Sequence, residues 1–435
     1  MRKIKSLQLV VLIIISGLAG YYFGVNHVKI SWENYKPSAS VVNREAPPSL
    51  NVDFSTFWNV WQKLEASYYD KTKLDPQKML NGAIEGLASS LGDPYTMYLP
   101  LQQNTNFKDG LAGQFSGIGA ELGTREKQII VIAPLAGSPA QKAGIKAGDL
   151  ILKVDGEATA NWSLPFTVGK IRGPKGTSVT LSILHKDSEK PQDVKIVRDI
   201  ITVKSVAGWV KKVKEIESIS TSSRSAGLRG ASKSIEENDK VAYIRLSQFG
   251  DSTNNDWISI ISDFALKMQT DKSIKGLIID LRNNPGGYLS DAVFIASEFL
   301  PERTPVVLED NDQGTRITRS VERKGLMIDA KVVILINKGS ASASEIVSGA
   351  LKDNKVNGKS RAILVGETSF GKGTIQAAND LGNGAGLHIT VAKWLTPNGV
   401  WVNGTGIKPD IEIALDEKDP NHDLQLEKAV LELLK

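Results

Sequence analysis

The chain has 435 residues, which is more than one ordinary hydrophobic core holds and predicts two or three domains. Its composition, 41% hydrophobic and 23% charged, is that of a globular protein, and a formal charge of only +5 with basic and acidic residues interleaved argues against a nucleic-acid partner. The absence of cysteine excludes disulfides, a thiolate nucleophile and a cysteine-based zinc site.

The N-terminus predicts a membrane anchor. Arg2, Lys3 and Lys5 precede an apolar run from Leu7 to Val25, close to the roughly 20 residues that a helix needs to cross a bilayer. Because positive flanks stay in the cytoplasm, the rest of the chain is expected outside it, at the cell surface or in the periplasm. A cleaved signal peptide, which would give a secreted protein, and a buried core helix are the alternatives, although no A-x-A-like cleavage site is found.

A tether and a small helical region come after the anchor. Residues 26–51 are polar with several prolines, which is typical of a tether. Helical patterns at 54–69 and 76–91 come next, and the second ends in LGDPYTMYL, with a turn at Asp93 and Pro94. We interpret this region as a small helical subdomain that packs on the next part of the chain, with a role in dimerisation as the alternative.

Between residues 114 and 198 the pattern changes to short β-runs punctuated by glycine. FSGIGAEL at 115–122 predicts a strand entered through a glycine-rich loop, a helix begins near Ser138, and IRGPKGTSVTLSIL at 171–184 predicts a further strand. These segments, in this order, resemble a PDZ domain. The resemblance implies strand addition by a peptide, whose terminal carboxylate is held by a loop of backbone N–H groups. The loop consists of Ser116, Gly117, Ile118 and Gly119.

A charged, serine-rich stretch at 211–239 has no apolar periodicity and predicts a surface insertion. From Val241 onwards strands, turns and helices alternate, with a helix at 257–268 and a buried strand at 276–281. This order predicts an α/β domain with largely parallel strands, in which sites gather at the carboxyl ends of the strands. Two such ends, 282–287 and 339–342, could meet at one site.

The stretch KVVILINKGSASASEIVSGAL at 331–351 places serines on a turn between a strand at 332–337 and a helix at 345–351. At a helix N-terminus, free N–H groups and the helix dipole favour a developing negative charge. Ser340, Ser342 and Ser344 alternate, and the pattern alone does not show which of them is the nucleophile.

The base that would activate such a serine is expected to be a lysine rather than a histidine. The four histidines are His27, His185, His388 and His422. A Ser-His-Asp arrangement would have to use His388. Lys372, which lies between Gly371 and Gly373 in ETSFGKGTIQ, is favoured because burial of its side chain would lower the pKa of the ammonium and produce an amine that accepts a hydroxyl proton.

The segments DPYTMYL, LRNNPGG, KGSASASEI, ETSFGKGTIQ and TPNGVWVNGTGIKPDIEI together resemble the carboxy-terminal processing (tail-specific) serine proteases, over roughly residues 55–415. The resemblance implies a serine endopeptidase that acts on extracytoplasmic polypeptides recognised through their C-terminal tails by the PDZ domain, with no cofactor and no metal. It assigns Ser342 as the nucleophile, Lys372 as the base and Gln376 as the residue that orients the lysine. Ser344 is then expected to be a helix cap or a residue of the first helical turn.

The resemblance implies two further roles. The oxyanion-hole donors are expected to be the backbone N–H groups of Ala343 and Gly287, with Gly286 as the neighbouring alternative. Arg172, in IRGPKG, corresponds to an arginine that couples peptide binding to the active site, and a surface salt bridge is its alternative role. Whether the PDZ-like domain activates or blocks the site is left open.

The predicted fold is an α/β multidomain protein with an N-terminal membrane helix, a small helical region, a PDZ-like β-rich domain and an α/β crotonase/ClpP-like protease core. The predicted segments are an anchor or signal (1–25), a tether (26–51), the helical region (52–110), the PDZ-like domain (111–200), a linker or insertion (201–240), the protease core (241–417) and a C-terminal helix (418–435). The expected partners are polypeptides with a free C-terminus, the membrane and, in a homodimer, a second copy of the chain. A PDZ adaptor without catalysis and a crotonase-like acyl-CoA enzyme are the rival functions.

Overall fold

A computed structural model describes residues 15–17, 28–33, 36–41, 52–216, 236, 238–414 and 422–435, apart from a few isolated positions within these ranges. Most of the predicted membrane segment, of the tether and of the insertion at 211–239 lies outside the described residues. Within the described ranges, no helix combines the length and the apolar character needed to span a bilayer.

The chain divides into two compact units, residues 1–80 and 81–435. The elements whose first residue lies in the first unit are β1 (Val28–Glu33), β2 (Lys36–Val41), α1 (Ser55–Ser67), a 3₁₀ helix (Lys71–Lys73) and α2 (Pro76–Ser89). Strands β1 and β2 form an antiparallel hairpin. On α1 the rings of Phe57 and Trp58 meet edge to face, 5.0 Å apart. Both helices predicted here are confirmed, and each is slightly shorter than its sequence pattern.

The second unit begins with a β-rich part. Its elements are β3 (Met97–Leu99), α3 (Leu101–Leu111), β4 (Gln114–Gly117), β5 (Ala120–Arg125), β6 (Gln128–Pro134), α4 (Pro139–Lys142), β7 (Leu150–Val154), β8 (Glu157–Ala158), α5 (Leu164–Ile171), β9 (Ser178–Leu184), β10 (Gln192–Val197) and β11 (Asp199–Thr202). One sheet has the order β10-β9-β7-β6-β5, and β8 pairs with β7. Its buried face carries aliphatic side chains such as Val131, Leu181 and Ile183, which form a core of their own.

The segment 115–122, predicted as a strand entered through a glycine-rich loop, contains the end of β4, a bend at Gly119 and the start of β5. Strand β4 ends at Gly117 and pairs with β11, whereas β5 starts at Ala120 and belongs to the larger sheet. Gly119 has φ +72, and a Cβ there would lie 2.5 Å from the Cβ of Ser138. A residue with a side chain cannot occupy this point, so the glycine fixes the sharp bend between the two strands. The predicted strand at 171–184 is likewise shorter, since α5 extends through Ile171.

The remaining elements form the α/β part. They are β12 (Val206–Lys212), a 3₁₀ helix (Val213–Glu215), β13 (Lys240–Leu246), α6 (Thr253–Thr270), β14 (Ile274–Asp280), α7 (Leu289–Ala296), β15 (Pro305–Asn311), β16 (Arg316–Ser320), β17 (Val332–Ile336), α8 (Ala343–Asp353), β18 (Lys355–Val356), β19 (Lys359–Ser360), β20 (Ile363–Gly366), β21 (Thr374–Asp380), β22 (Gly386–Leu395), β23 (Ile411–Glu412) and α9 (Leu424–Leu434).

The central sheet has the order β12-β13-β14-β17-β20-β23. All neighbours from β13 to β23 are parallel, and β12 is an antiparallel edge strand. The predicted parallel sheet is confirmed. Strand β17 is buried along its whole length, as expected where helices cover both faces. Strand β12 falls in the stretch predicted as a linker. All its residues after Val206 are exposed or half-exposed, so the sequence pattern did not reveal it.

A second, antiparallel sheet has the order β16-β15-β22-β21, and β3 pairs with β22. Strand β3 comes from the predicted helical region, almost 300 residues before its partner. Residues 93–96, which precede β3, are therefore placed beside the loop between β20 and β21. This pairing brings DPYTMYL and ETSFGKGTIQ to one place.

An ion-pair cluster closes the carboxyl end of β14. Asp280 is fully buried and is held by Arg282 through Nε–Oδ1 and Nη2–Oδ2 contacts of 2.9 and 2.7 Å. The hydroxyl of Tyr243 donates to Asp280 at 2.6 Å, and Arg282 also contacts Asp423 at the start of α9. Arg282 thereby fastens the C-terminal helix to the sheet and compensates for the burial of a carboxylate.

Replacement of Arg282 by methionine is expected to destabilise the fold by about 3–5 kcal/mol, because it leaves a buried carboxylate without its main partner. Urea denaturation measures the loss. Arg316→Met is the matched control: Arg316 makes a similar two-point contact with Asp310 at 2.6 and 2.8 Å, but half of its side chain is exposed, so a much smaller loss is expected. Equal losses for the two variants would contradict the role of burial.

Candidate active site

Ser342 lies at the N-cap of α8, on the turn after β17, with φ 55° and ψ −114°. This left-handed backbone is unfavourable for any residue with a Cβ, and such strain is concentrated at functional positions. A serine on a strained strand-to-helix turn is presented outward, as in nucleophile elbows. Ser342 is partly exposed, whereas the nine residues from Ala343 to Leu351 are buried.

The structure separates the three alternating serines. Ser340 is fully buried, donates to the carbonyl of Leu281 at 2.8 Å and accepts from the N–H of Asn337. Ser344 lies in the first turn of α8, which is one of its two predicted places, is fully buried and donates to the carbonyl of Asn284 at 2.9 Å. Both hydroxyls are used in hydrogen bonds that stabilise the turn. Of the three serines, Ser342 is therefore the one whose hydroxyl can contact a ligand.

The Asn-Pro-Gly-Gly turn after β14 packs directly against the Ser342 turn. The N–H of Ala341 donates to the carbonyl of Asn284 at 3.0 Å. A Cβ at Gly286 would lie 2.8 Å from the Cβ of Ser342 and 2.9 Å from the N of Ala343. The expected meeting of two strand ends is therefore confirmed, and the close approach requires glycine at position 286.

Backbone N–H groups next to Ser342 are available to a substrate. The N–H of Gly286 is occupied, since it donates to Asn284 Oδ1 at 2.9 Å. In the described part of the chain, no hydrogen bond uses the N–H of Gly287 or of Ala343. Of the two glycines, Gly287 is the one with a free donor. Its φ of 140° and the Phe249 carbonyl, which a Cβ would overlap at 1.7 Å, exclude other residues there.

A single buried carboxylate, Glu345, ties the Ser342 turn to the Lys372 loop. Its Oε2 accepts the N–H of Ser342 at 2.8 Å and the N–H of Lys372 at 2.9 Å. Its Oε1 accepts the N–H of Gly371 and the hydroxyl of Ser369, both at 2.6 Å. Glu345 is fully buried, so these four bonds replace its hydration. The N–H groups of Ser342 and Lys372 donate to the same oxygen, Glu345 Oε2, so the two backbones are neighbours.

Lys372 is half-buried on the loop between β20 and β21, and its carbonyl accepts from Trp394 Nε1 at 2.8 Å. Burial lowers the pKa of its ammonium, against the opposing attraction of Asp93 and Glu345. Its Nζ lies 4.8 Å from the centre of the Tyr95 ring. Among the described residues, no hydrogen bond joins Lys372 Nζ to the Ser342 hydroxyl.

Gln376 lies on β21, and its Nε2 donates to the hydroxyls of Thr374 and Thr390 at 2.9 and 3.1 Å. Among the described residues, no hydrogen bond joins its side chain to Lys372 Nζ. His388, the alternative base, is buried on β22 with its ring against Phe107 at 4.5 Å. Burial lowers the pKa of His388, and the positive charge of Lys372 adds to this effect. No hydrogen bond within the described ranges connects His388 with Ser342.

The predicted carboxylate-binding loop lines a cavity of about 120 Å³ between β5 and α5. Gly117, Ile118 and Gly119 form one wall, and no hydrogen bond among the described residues uses the N–H of Ile118 or Gly119. Ser116 lies in β4, paired with Ile200. Arg172 lines the cavity, is exposed and stacks its guanidinium 4.8 Å from the centre of the Phe115 ring. The cavity has the size of a single side chain.

Three residues at the site were not predicted as functional. Glu345 had a signal, because an acidic residue three positions after a serine is the spacing of a capping box. Asp93 and Tyr95 reach Lys372 only through the pairing of β3 with β22, and no local pattern reveals this contact.

Comparison with protein-family models and known proteins shows which family the chain belongs to. Three family models match: the activating protease CtpB N-terminal domain over residues 13–103, the PDZ domain over 104–184 and peptidase family S41 over 240–413. The carboxy-terminal processing protease CtpB of Bacillus subtilis is 35% identical over 401 residues, which cover 91% of this chain and 75% of that protein. The carboxy-terminal-processing protease of Bartonella bacilliformis is 37% identical over 378 residues, which cover 86% of this chain and 79% of that protein.

Among solved structures, the photosystem II D1 C-terminal processing protease is 28% identical, with a TM-score of 0.50 over 87% of this chain and 96% of that chain. The order of the matched models agrees with the element order described above, with a PDZ domain ahead of an α/β core. The chain therefore belongs to the carboxy-terminal processing proteases of peptidase family S41, which are serine-type endopeptidases with an embedded PDZ domain.

Proposed function

We propose that the protein cleaves polypeptides with a Ser342–Lys372 pair. The observation that supports this most strongly is the convergence of a strained, partly exposed Ser342 with the free N–H groups of Gly287 and Ala343. These are the nucleophile and the two donors that acyl transfer requires. Lys372 is the candidate base, because Glu345 binds the backbone N–H groups of both residues and so holds the two loops side by side.

In this mechanism the neutral amine of Lys372 accepts the hydroxyl proton of Ser342 as the serine oxygen attacks the peptide carbonyl. The N–H groups of Gly287 and Ala343 stabilise the negative oxygen of the tetrahedral intermediate. Lys372 then donates its proton to the leaving amine, and the acyl-enzyme is hydrolysed by a water that the same amine deprotonates. Gln376 would orient the amine by accepting an N–H of Lys372 at Oε1, while its Nε2 donates to the hydroxyls of Thr374 and Thr390.

The substrate is a polypeptide whose free C-terminus binds the PDZ domain. The support is the cavity beside Gly117, Ile118 and Gly119, which has room for one terminal side chain, together with unpaired N–H groups at Ile118 and Gly119 for the carboxylate. The positive charge of Arg172 at the same cavity favours an anionic chain end.

Two peptides that differ only in a free or an amidated C-terminus test this proposal. We expect kcat/KM for the amidated peptide to be lower by about tenfold or more, because the amide lacks the charge that N–H groups and Arg172 bind. The Ser342→Ala protein serves as the blank for contaminating proteases. Equal cleavage of both peptides by the unmodified protein would contradict recognition of the tail.

The catalytic part is proposed to act outside the cytoplasm, held to the membrane by residues 7–25 or released after signal cleavage. The support is the apolar run preceded by Arg2, Lys3 and Lys5. In intact cells or spheroplasts an added protease should digest the catalytic part. Digestion that requires lysis would overturn this location.

A further inference from the structure

Residues 93–96 form a turn, here called the 93–96 turn, that is fastened beside Lys372. The N–H of Tyr95 donates to Asp93 Oδ1 at 3.1 Å, and the hydroxyl of Thr96 donates to Asp93 Oδ2 at 2.7 Å. The N–H of Thr390 on β22 donates to the Thr96 hydroxyl at 3.1 Å. Because β3 continues the turn into the sheet, Asp93 and Tyr95 have fixed positions.

The 93–96 turn offers two features that stabilise an ammonium group. Lys372 Nζ lies 4.8 Å from the centre of the Tyr95 ring, which is the distance of a cation–π contact. The carboxylate of Asp93 attracts the same charge and raises the pKa of Lys372, in opposition to burial.

Other charged groups also face Lys372. Glu345 on α8 is an anion, but its two oxygens already accept four hydrogen bonds. His388 on β22 is buried, and burial together with the positive charges of Lys372 and Lys108 lowers its pKa, which disfavours a second positive charge at this place. Replacement of Asp93 therefore removes a negative charge near Lys372 without breaking the hydrogen bonds of Glu345.

A cavity of about 690 Å³ opens between the 93–96 turn and the loop that carries Lys372. Phe370, Gly371 and Trp401 line its other side. Asp93 and Tyr95 also line this cavity, so a proton released beside the Tyr95 ring has an open route to solvent.

We propose that the 93–96 turn is a holding site for the protonated base, in which the Tyr95 ring contacts the Lys372 ammonium and the Asp93 carboxylate of the same turn attracts it. The ammonium releases its proton to water in the cavity, and the resulting amine turns to the Ser342 hydroxyl and accepts its proton. Asp93 is thus a positioning residue that sets the pH at which the enzyme becomes active. This inference rests on the proposed Ser342–Lys372 mechanism.

The test is the pH profile of kcat/KM for Asp93→Asn. Asparagine keeps an acceptor for the turn but removes the negative charge, so the Lys372 ammonium loses its proton at lower pH. We expect the acid limb of the profile to move down by about half a pH unit or more, which gives about threefold or more activity below the midpoint. Asp271→Asn is the matched control, because Asp271 accepts the N–H and the hydroxyl of Ser273 in a similar turn, at 2.9 and 2.6 Å. An unmoved profile for Asp93→Asn would overturn the proposal.

A second measurement does not depend on activity. In the Ser342→Ala protein, competitive acetylation of Lys372 by acetic anhydride over a range of pH, read by mass spectrometry, reports the protonation of the amine. The midpoint should fall with Asp93→Asn and stay in place with Asp271→Asn. Asp93→Ser, which keeps a hydroxyl acceptor, replaces the asparagine variant if that protein does not fold. Unchanged midpoints contradict the holding site alone, whereas full activity of a Lys372→Met protein would contradict the catalytic pair on which it rests.

Discussion

Lys372→Met is expected to lower kcat/KM for peptide hydrolysis by about 10³-fold or more, and Ser342→Ala is expected to abolish it. Methionine has nearly the length of lysine and is compatible with a half-buried position. The protein should therefore stay folded although the base is lost. In the unmodified protein, kcat/KM should rise with pH as the ammonium of Lys372 loses its proton. Because burial lowers the pKa of this group, the rise should lie below pH 10.5, the ordinary value for lysine.

The matched control is Lys338→Met, four residues before the nucleophile. Lys338 is 84% exposed at its side chain and faces Glu367, so its loss should leave kcat/KM unchanged. Circular dichroism and thermal unfolding establish that each variant is folded. Turnover within tenfold of the unmodified protein by either Lys372→Met or Ser342→Ala would exclude the catalytic pair.

Glu345→Gln is expected to lower kcat/KM by about 100-fold and to destabilise the protein by about 2–4 kcal/mol. An amide has one acceptor oxygen in place of two and brings an NH₂ group to N–H and O–H donors. At least one pair of the four donors then loses its acceptor in a fully buried site. The Ser342 turn and the Lys372 loop are then no longer held together by one carboxylate. A shift of about 1 Å between the reacting groups is enough to lower kcat/KM by about 100-fold.

Glu298→Gln separates the two effects. Glu298 is also a buried carboxylate, which accepts from Trp257 Nε1 and Arg323, but it lies outside the catalytic site. We expect this variant to lose stability and to keep its kcat/KM per folded molecule. If Glu345→Gln kept full kcat/KM at a temperature where it is folded, Glu345 would have a structural role only.

Local patterns predicted the central part of the fold well. Burial and backbone geometry act on neighbouring residues and therefore leave a local sequence pattern. Such patterns revealed the apolar run before the serine turn, the glycine-rich turn after β14 and the alternation of strands and helices. These features placed Ser342 and the Asn-Pro-Gly-Gly turn at neighbouring strand ends, and the structure brings them into contact. Strand β12 was missed because a half-exposed edge strand has no continuous apolar pattern.

Contacts between distant segments could not be predicted in this way. The choice of Gly287 over Gly286 depends on the side chain of Asn284, which occupies the N–H of Gly286. The contact of Tyr95 with Lys372 depends on the pairing of β3 with β22. Asn284 is only two residues from Gly286, but the local pattern does not reveal the orientation of its side chain. Tyr95 and Lys372 are brought together by tertiary structure, and a sequence window around either of them contains no trace of the other.

The backbone of Ser342 also implies a conflict between thermal stability and catalysis. With φ 55° and ψ −114°, this position would suit glycine, which adopts such a conformation without strain. Retaining a side chain here costs on the order of 1–3 kcal/mol, a considerable part of the roughly 5–15 kcal/mol that keeps a domain folded. Selection for heat resistance alone would therefore favour the loss of the hydroxyl, and the active protein is not the most stable protein that this fold can form.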